Sequence, residues 1–357
     1  MTRADNTIRF VQTPDHVRIA WTASGSGPAL VKAANWLSHL EYDLQSPVWR
    51  HWVAFLAGHF RYYRHDERGL GLSSHSVEDL SRPTWLSDLE LVIEAAKPEK
   101  PFVLLGISQG TGPAMQYAAK NPEHVSHLII YGGYQRGWSL RGAEERRRRQ
   151  AIRELALVGW GKPDTIFRRL YTNMFLPGGS DEQLQWFDDL CARTTSPEIA
   201  YRLMAEQAEA DFTDVPANVK VPTLVLHARD DRVVPFSEGV DIATAIDSSQ
   251  FVQLDSSNHI LMEDEPAWGR FKAAVLEFTG RSSGEEDPVF GTLSDRERQV
   301  LAKVTEGLGN TEIAATLFIS EKTVKNHITR IFDKLNVSTR SQAIVLARDK
   351  RFDGLER

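Results

Sequence analysis

The 357-residue chain predicts a large α/β unit, built on a mostly parallel sheet with helices on both faces, followed by a small all-α unit. Three observations predict it. Short apolar runs alternate with segments whose apolar residues recur at helical spacing. The alternation lapses from about Arg136 to Thr213, where only helical patterns are found. A stretch rich in Gly, Ser, Glu and Pro then separates all of this from a tail with four legible helix starts. The expected organisation is residues 1–280 with an inserted helical cap at about 136–213, a linker over 281–292, and a helical domain over 293–357.

The strands are expected at residues 8–13, 17–23, 29–35, 60–66, 102–108, 126–133, 223–230 and 251–255, each a short apolar or β-branched run bounded by turn residues. Between many of them lie helical patterns such as Trp85 to Ala96, Thr111 to Ala119 and Trp268 to Phe278. Inside the cap, AEERRRRQAIREL invites a nucleic-acid reading. Glu144 stands four residues before Arg148, however, and Glu145 four before Arg149, which is the spacing of ion pairs on an exposed helix. A solvated helix face is the expectation there.

With 41% hydrophobic and 25% charged residues the composition is that of an ordinary globular protein, and no uncharged apolar run is long enough to span a bilayer. The opening MTRADNTIRF lacks the apolar core of a secretory signal, and Cys191, the only cysteine, cannot form an intrachain disulfide, so a reducing cytoplasm is the expected home. The net charge of -6 argues against indiscriminate nucleic-acid binding by the whole chain. From Gly291 onward, however, the tail has 12 Lys and Arg against 9 Asp and Glu, which leaves -9 on the rest.

One serine stands out chemically. In LGISQGTG, Ser108 lies between Gly106 and Gly110 where an apolar strand runs into an apolar helix pattern. Such a strained strand-to-helix turn needs small neighbours and presents its serine as a nucleophile. A hydroxyl near neutral pH needs a base and a third group to orient that base. Later strands supply both in order: Asp231 within DDRVVP, then His259 within SSNHI. His227, on a strand, is expected to be structural.

Residues up to about Gly280 resemble an α/β-hydrolase-fold protein. The resemblance is carried by the turn Asp66-Glu67-Arg68-Gly69-Leu70-Gly71-Leu72-Ser73, the serine elbow, the D-x-x-V-P loop and the N-H-x-x-x-x-E-x-P loop ending at Pro266. It implies Ser108 as nucleophile, His259 as base and Asp231 as orienting acid. Asp230 is the rival for the last role, but the spacing to Pro235 favours its neighbour. The family often places His-Gly after the third strand, whereas this chain reads Lys32-Ala33-Ala34-Asn35-Trp36-Leu37. The amides of Gln109 and Trp36 are the expected oxyanion donors, with Asn35 as a helper. Asn35, Trp36, Trp160, Met174, Phe175 and Trp186 are candidates for the pocket lining, in the loop or the cap where such folds enclose a ligand. No metal or other cofactor is expected.

In the tail, Ser294 with Glu297 and Thr339 with Gln342 form capping boxes, while Asn310 or Thr311 caps the second helix and Ser320 the third. Val324, Ile328, Ile331, Phe332 and Leu335 recur at helical spacing and would face a core. Lys322, Asn326, Thr329 and Arg330 then lie on the opposite face with Lys325 at its edge, side chains suited to a major groove. The tail resembles the LuxR-type helix-turn-helix domain over its full length, through residues including Leu293, Arg296, Glu297, Val300, Leu301, Gly307, Asn310, Ile313, Ala314, Thr323, Val324, Lys325 and His327. That resemblance implies double-stranded DNA as partner, Lys325, Asn326 and Thr329 near bases, and Lys322 and Arg330 on phosphates, with Thr323 beside them. It also implies a last helix, around Ala343, Val345 and Leu346, that pairs two copies.

Three readings are open at this point. The chain is a transcriptional regulator whose hydrolase-fold domain binds a small-molecule effector, or it also hydrolyses that effector as an ester, lactone or amide, or it is a serine hydrolase whose tail is only a dimerisation or docking module. No early acidic pair follows the first strand as in a phosphoacceptor receiver, so phosphorelay control is not expected.

Overall fold

A computed structural model describes residues 7–162, 166–281, 289–317, 319–349 and 352. The chain separates into two compact units, divided between Thr279 and Gly280. Of the linker expected over 281–292, residues 282–288 lie outside the described residues.

The first unit is built on one eight-stranded sheet in the order β1-β2-β4-β3-β5-β6-β7-β8. The strands are β1 (Arg9–Gln12), β2 (Arg18–Ser24), β3 (Ala29–Lys32), β4 (Arg61–His65), β5 (Phe102–Ile107), β6 (Val125–Tyr131), β7 (Thr223–Ala228) and β8 (Ser249–Leu254). β1 and β2 pair antiparallel, as do β2 and β4, and every later pairing is parallel. All eight expected strands are present.

The central strands are buried on both faces, which is why they read as continuous apolar runs. Their two-residue period still sorts the side chains. Val103, Leu105 and Ile107 of β5 join one core cluster, and Phe102 and Leu104 join the other. The first cluster is completed by Trp52 and Leu56 of α1 (Arg50–His59), and by Trp268 and Phe271 of α9 (Pro266–Phe278). The second takes Trp85, Leu89 and Ile93 of α2 (Arg82–Ala96), Ala114, Met115 and Ala118 of α3 (Thr111–Lys120), and Ile242 of α8 (Phe236–Ala245).

Between β6 and β7 the chain forms α4 (Ala143–Gly159), α5 (Ile166–Phe175), α6 (Asp181–Thr194) and α7 (Pro197–Ala208). An isolated bridge between Arg136 and Asp211 closes the base of this insertion. The arginine run in α4 is only partly a solvated face. Glu145 pairs with both Arg148 at 2.5 Å and Arg149 at 2.8 Å, and Arg149 is 8% exposed. Arg149, Ile152, Ala156 and Gly159 form the inward stripe of the helix, so the arginine occupies a core-facing position at helical spacing.

The second unit comprises α10 (Asp295–Thr305), α11 (Asn310–Leu317), α12 (Glu321–Leu335) and α13 (Arg340–Asp349). Its core holds Leu293, Val300, Leu301, Val304, Ile313, Val324, Ile331, Leu335 and Ala343. Phe290, assigned to the linker from sequence, is fully buried in the same core and packs on Phe352 with ring centroids 4.9 Å apart. The packed unit therefore includes residues before Leu293.

Ser294 and Glu297 cap α10 reciprocally, and Glu297 also accepts from Lys334 Nζ at 2.7 Å, tying α10 to α12. Ser294→Ala removes the acceptor for the Glu297 amide and is expected to lower the stability of this unit by about 1 kcal/mol, seen as faster amide exchange in α10.

Candidate active site and nucleic-acid interface

Ser108 follows β5 directly, in a 3-10 turn (Ser108–Gly110) that runs into α3. Its φ of 51° lies in the left-handed region that serine rarely adopts. Close packing maintains that turn. A Cβ on Gly106 would lie 2.9 Å from Thr111 Cα, and one on Gly110 would lie 2.6 Å from the Ala34 carbonyl. The elbow thus brings together β5, α3 and the loop after β3, and Ser108, Gln109 and Trp36 line one cavity.

Asp231 and His259 stand in the loops after β7 and β8. His259 Nδ1 and Asp231 Oδ2 are 2.6 Å apart, and Asp231 Oδ1 accepts from the Val233 and Val234 amides at 2.7 and 3.0 Å. Burial pushes the Asp231 carboxyl up, but the His259 ring and these hydrogen bonds outweigh it and hold the group below its ordinary value. Asp230 is exposed.

His227 is buried, with Nε2 on the Val234 carbonyl at 3.0 Å, so it braces the Asp231 loop. The His259 amide donates to the Phe175 carbonyl at 2.8 Å, and the Phe175 ring meets the imidazole edge-on. His259 Nε2 is buried and has no hydrogen-bond partner among the described residues, and no hydrogen bond joins it to Ser108 Oγ. The arrangement is an oriented imidazole whose second nitrogen is open to take a proton.

The loop after β3 rests on a buried charged cluster. Lys32 Nζ bonds Asn35 Oδ1, and Asn35 Nδ2 donates to the Trp36 carbonyl at 3.1 Å. Asn35 is therefore committed to shaping the loop, and its side chain is not offered to a ligand. Arg64 donates to the Leu40 carbonyl, and Asp66 accepts from the Leu40 amide, so the far end of the loop is held as well. The Trp36 amide donates to no protein group among the described residues. The side chain of Gln109 bridges two layers: it donates to Glu67 Oε1 at 2.7 Å and accepts from Gln207 of α7 at 2.7 Å. Burial pushes Glu67 up to about 8, and its Oε2 has no partner.

Besides Ser108, Gln109 and Trp36, the cavity is walled by Tyr134, Trp138 and Arg141 from the loop after β6, by Val233 and Val234, and by cap side chains. Those are Arg149 and Ile152, Tyr171 and Phe175, and Met204 and Gln207. Of the six pocket candidates only Trp36 and Phe175 reach it. Trp160 packs behind Trp36 with its indole N–H on the Thr195 carbonyl, Met174 is buried in the core, and Trp186 stacks on Tyr42 at 4.6 Å. α5 presents Tyr171 and Phe175 to the cavity instead of Met174, and α6 contributes no residue to it. The contributions of Tyr134, Trp138 and Arg141 carry no sequence periodicity, because they come from an irregular loop. Arg149 had one signal, its place in the stripe completed by Ile152 and Ala156.

On α12, Lys322, Lys325, Asn326, Thr329 and Arg330 are exposed, while Val324, Ile331 and Leu335 are buried and Ile328 and Phe332 half-buried. The exposed residues form one basic and amide-bearing face. Thr323 differs: it is half-buried, and its hydroxyl and amide are both held by Ser320 at the start of the helix. Lys325 pairs with Glu321 at 3.1 Å. On α13, Ala343 faces the unit's own core, Leu346 is half-buried and Val345 is 55% exposed, so only Val345 of the three is openly presented.

Residues 50–266 match the family profile described as serine aminopeptidase, S33, and residues 291–347 match that of bacterial regulatory proteins, luxR family. Ser108, Asp231 and His259 all fall within the first match. The chain is 28% identical over 256 residues to an AB hydrolase superfamily protein, YisY, of Bacillus subtilis, covering 70% of this chain and 91% of that one. It is 34% identical over 128 residues to the transcriptional regulatory protein LiaR of the same organism, covering 36% of this chain and 61% of that regulator. Among solved structures, an esterase from Exiguobacterium antarcticum superposes with a TM-score of 0.63 at 22% identity, covering 77% of this chain and all of that one. The larger unit thus has the α/β-hydrolase fold with a helical cap.

Because the pKa of Glu67 is raised on folding, its neutral form is favoured in the folded state, and its contribution to stability is lost as pH climbs from about 4.5 to about 8. Glu67→Gln keeps the acceptor for Gln109 and removes the titration. The variant is expected to exceed wild type by roughly 1–3 kcal/mol at pH 9, with the difference vanishing below pH 4.5, as measured by denaturant unfolding across that range.

Proposed function

Because the chain belongs to the serine aminopeptidase S33 family of α/β-hydrolase-fold proteins over residues 50–266 and carries a LuxR-family DNA-binding domain over 291–347, we propose that it is an effector-responsive transcriptional regulator. Its larger domain binds a small molecule in the Ser108 cavity and cleaves it. The observation that carries this reading is the buried Asp231–His259 pair with an unpartnered Nε2, set in the same domain as a left-handed Ser108 that opens on an enclosed cavity.

In the proposed reaction Ser108 Oγ attacks the acyl carbon of an ester, lactone or amide as His259 Nε2 takes the hydroxyl proton. The Trp36 and Gln109 amides hold the oxyanion, and Asp231 steadies the imidazolium. The carbonyl reforms, the bond to the leaving group breaks, and His259 returns the proton to that group. Water then repeats the sequence on the acyl-enzyme and frees the acid. A ligand or product changes DNA affinity only through unequal affinity for two states of the protein.

A second reading, a receptor in which the serine does not turn over, is favoured by the missing hydrogen bond between Ser108 and His259. A fluorophosphonate probe separates the two readings by intact-protein mass. Adduct on wild type and none on Ser108→Ala is the expected result, and no adduct on either would leave the receptor reading standing.

For the tail, DNA is bound as a homodimer through the exposed face of α12. Binding sites selected from random duplexes by the wild type supply the test sequences. Lys325→Ala and Asn326→Ala are expected to lose about 1–3 kcal/mol of discrimination against altered sites. Lys322→Ala weakens all sequences evenly and lowers the salt slope by about one. Unchanged binding by all three variants would place the DNA-binding face elsewhere.

A further inference from the structure

The cavity beside Ser108 is walled by two guanidinium groups whose circumstances differ. Arg149 is paired with Glu145, a carboxylate that Arg148 shares, and spends Nη2 on the Arg232 and Val233 carbonyls. Arg141 forms no ion pair among the described residues. Its Nε donates to the Arg136 carbonyl at 2.7 Å, its Nη1 reaches the Val233 carbonyl at 3.4 Å, and its guanidinium lies 4.9 Å from the Tyr134 ring centre. These contacts orient the group without neutralising it, and Nη2 makes no hydrogen bond among the described residues.

The buried acid whose charge acts most strongly on Arg141 is already occupied. Glu238 pairs with Arg136 at 2.9 Å and accepts the Gln135 and Arg136 amides at 3.0 Å each. Burial lowers the pKa of Arg141, with Glu238 and Tyr134 opposing that shift from a distance. A guanidinium held in a mostly enclosed site without a counter-ion is unfavourable for the empty protein. The imbalance is relieved when something entering the cavity brings the anion.

We propose that Arg141 is a specificity-determining residue of the cavity, and that the molecule carried to Ser108 is a short acyl ester or amide bearing a carboxylate, which pairs with the open edge of the guanidinium. The proposal rests on reading the cavity as the effector site. A single planar guanidinium edge offers parallel N–H donors that match one carboxylate. The cavity volume is about 50 Å³, which limits the buried part of the ligand to a small group.

The test uses the full chain and two chromogenic esters of equal acyl length, the hemisuccinate and the butyrate of 4-nitrophenol, one anionic and one neutral. Hydrolysis of either releases 4-nitrophenolate and the free acid. Wild type is expected to prefer the hemisuccinate by about 10-fold to 100-fold in kcat/KM, the range of a charge-assisted pair. In Arg141→Met the ratio of the two kcat/KM values falls to near one. In Arg141→Lys it is intermediate, with the loss in KM rather than kcat. A wild-type ratio near one overturns the proposal without reference to any variant, as does a preference that survives Arg141→Met.

If neither ester is cleaved, the hydrolytic reading fails and binding decides. Titrating wild type and Arg141→Met with both esters by tryptophan fluorescence quenching should show the anionic ester binding at least about 10-fold tighter to wild type, with that advantage lost in the variant. Equal affinity of wild type for the two esters rejects the assignment of Arg141.

Discussion

The larger domain depends on one steric constraint, the absence of side chains at Gly106 and Gly110. Where a Cβ would stand, Thr111 of α3 and the Ala34 carbonyl are in contact instead. That closeness makes Ser108's left-handed backbone tolerable, because the surrounding packing over-determines it. It also draws the loop after β3 against the elbow, so Ser108 and the Trp36 amide are positioned by one packing arrangement. The buried cluster of Lys32, Asp43, Arg64 and Asp66 beneath the loop then acts as its foundation. Buried charges are unfavourable in isolation, and here they are interlinked and bonded to the backbone that presents Trp36 and Leu40.

Hydrogen bonds tie the cap to the segments that carry Ser108, Asp231 and His259. The backbone of His259 is bonded to Phe175 at the end of α5, Arg149 of α4 holds the loop carrying Asp231, and Gln207 of α7 bonds the elbow residue Gln109. Residues that line the cavity are thus hydrogen-bonded to the loops that carry Asp231 and His259 and to the residue after Ser108.

In the smaller unit, the exposed face of α12 follows from what the other face must do. Val324, Ile331 and Leu335 are committed to the core, and the 3.6-residue period sends Lys322, Lys325, Asn326, Thr329 and Arg330 outward. Ser320 begins the helix by holding Thr323, which turns that residue from a candidate contact into part of the cap. The Glu297–Lys334 pair links α10 to α12, so the helix that presents the face is anchored at its C-terminal end.

The sequence by itself determined the elements and the order of the chemistry. Eight strands were legible because central parallel strands are continuously apolar. The helical units were legible through their caps, and Ser108, Asp231 and His259 stood out because each follows a strand in an expected order. What only the tertiary structure decided is which side chains share the cavity. Trp160, Met174 and Trp186 are apolar and lie in the cap, yet Trp160 packs beyond the end of α4, Met174 turns into the core, Trp186 stacks on Tyr42, and Asn35 is drawn away by Lys32. Arg141, Tyr134 and Trp138 come from an irregular loop with no period to betray them, and Arg149 was hidden in a charged run that looked wholly solvated. Periodicity reports which face of an element is buried, but not what it is buried against. A site assembled from loops and three cap helices is fixed only when those surfaces meet.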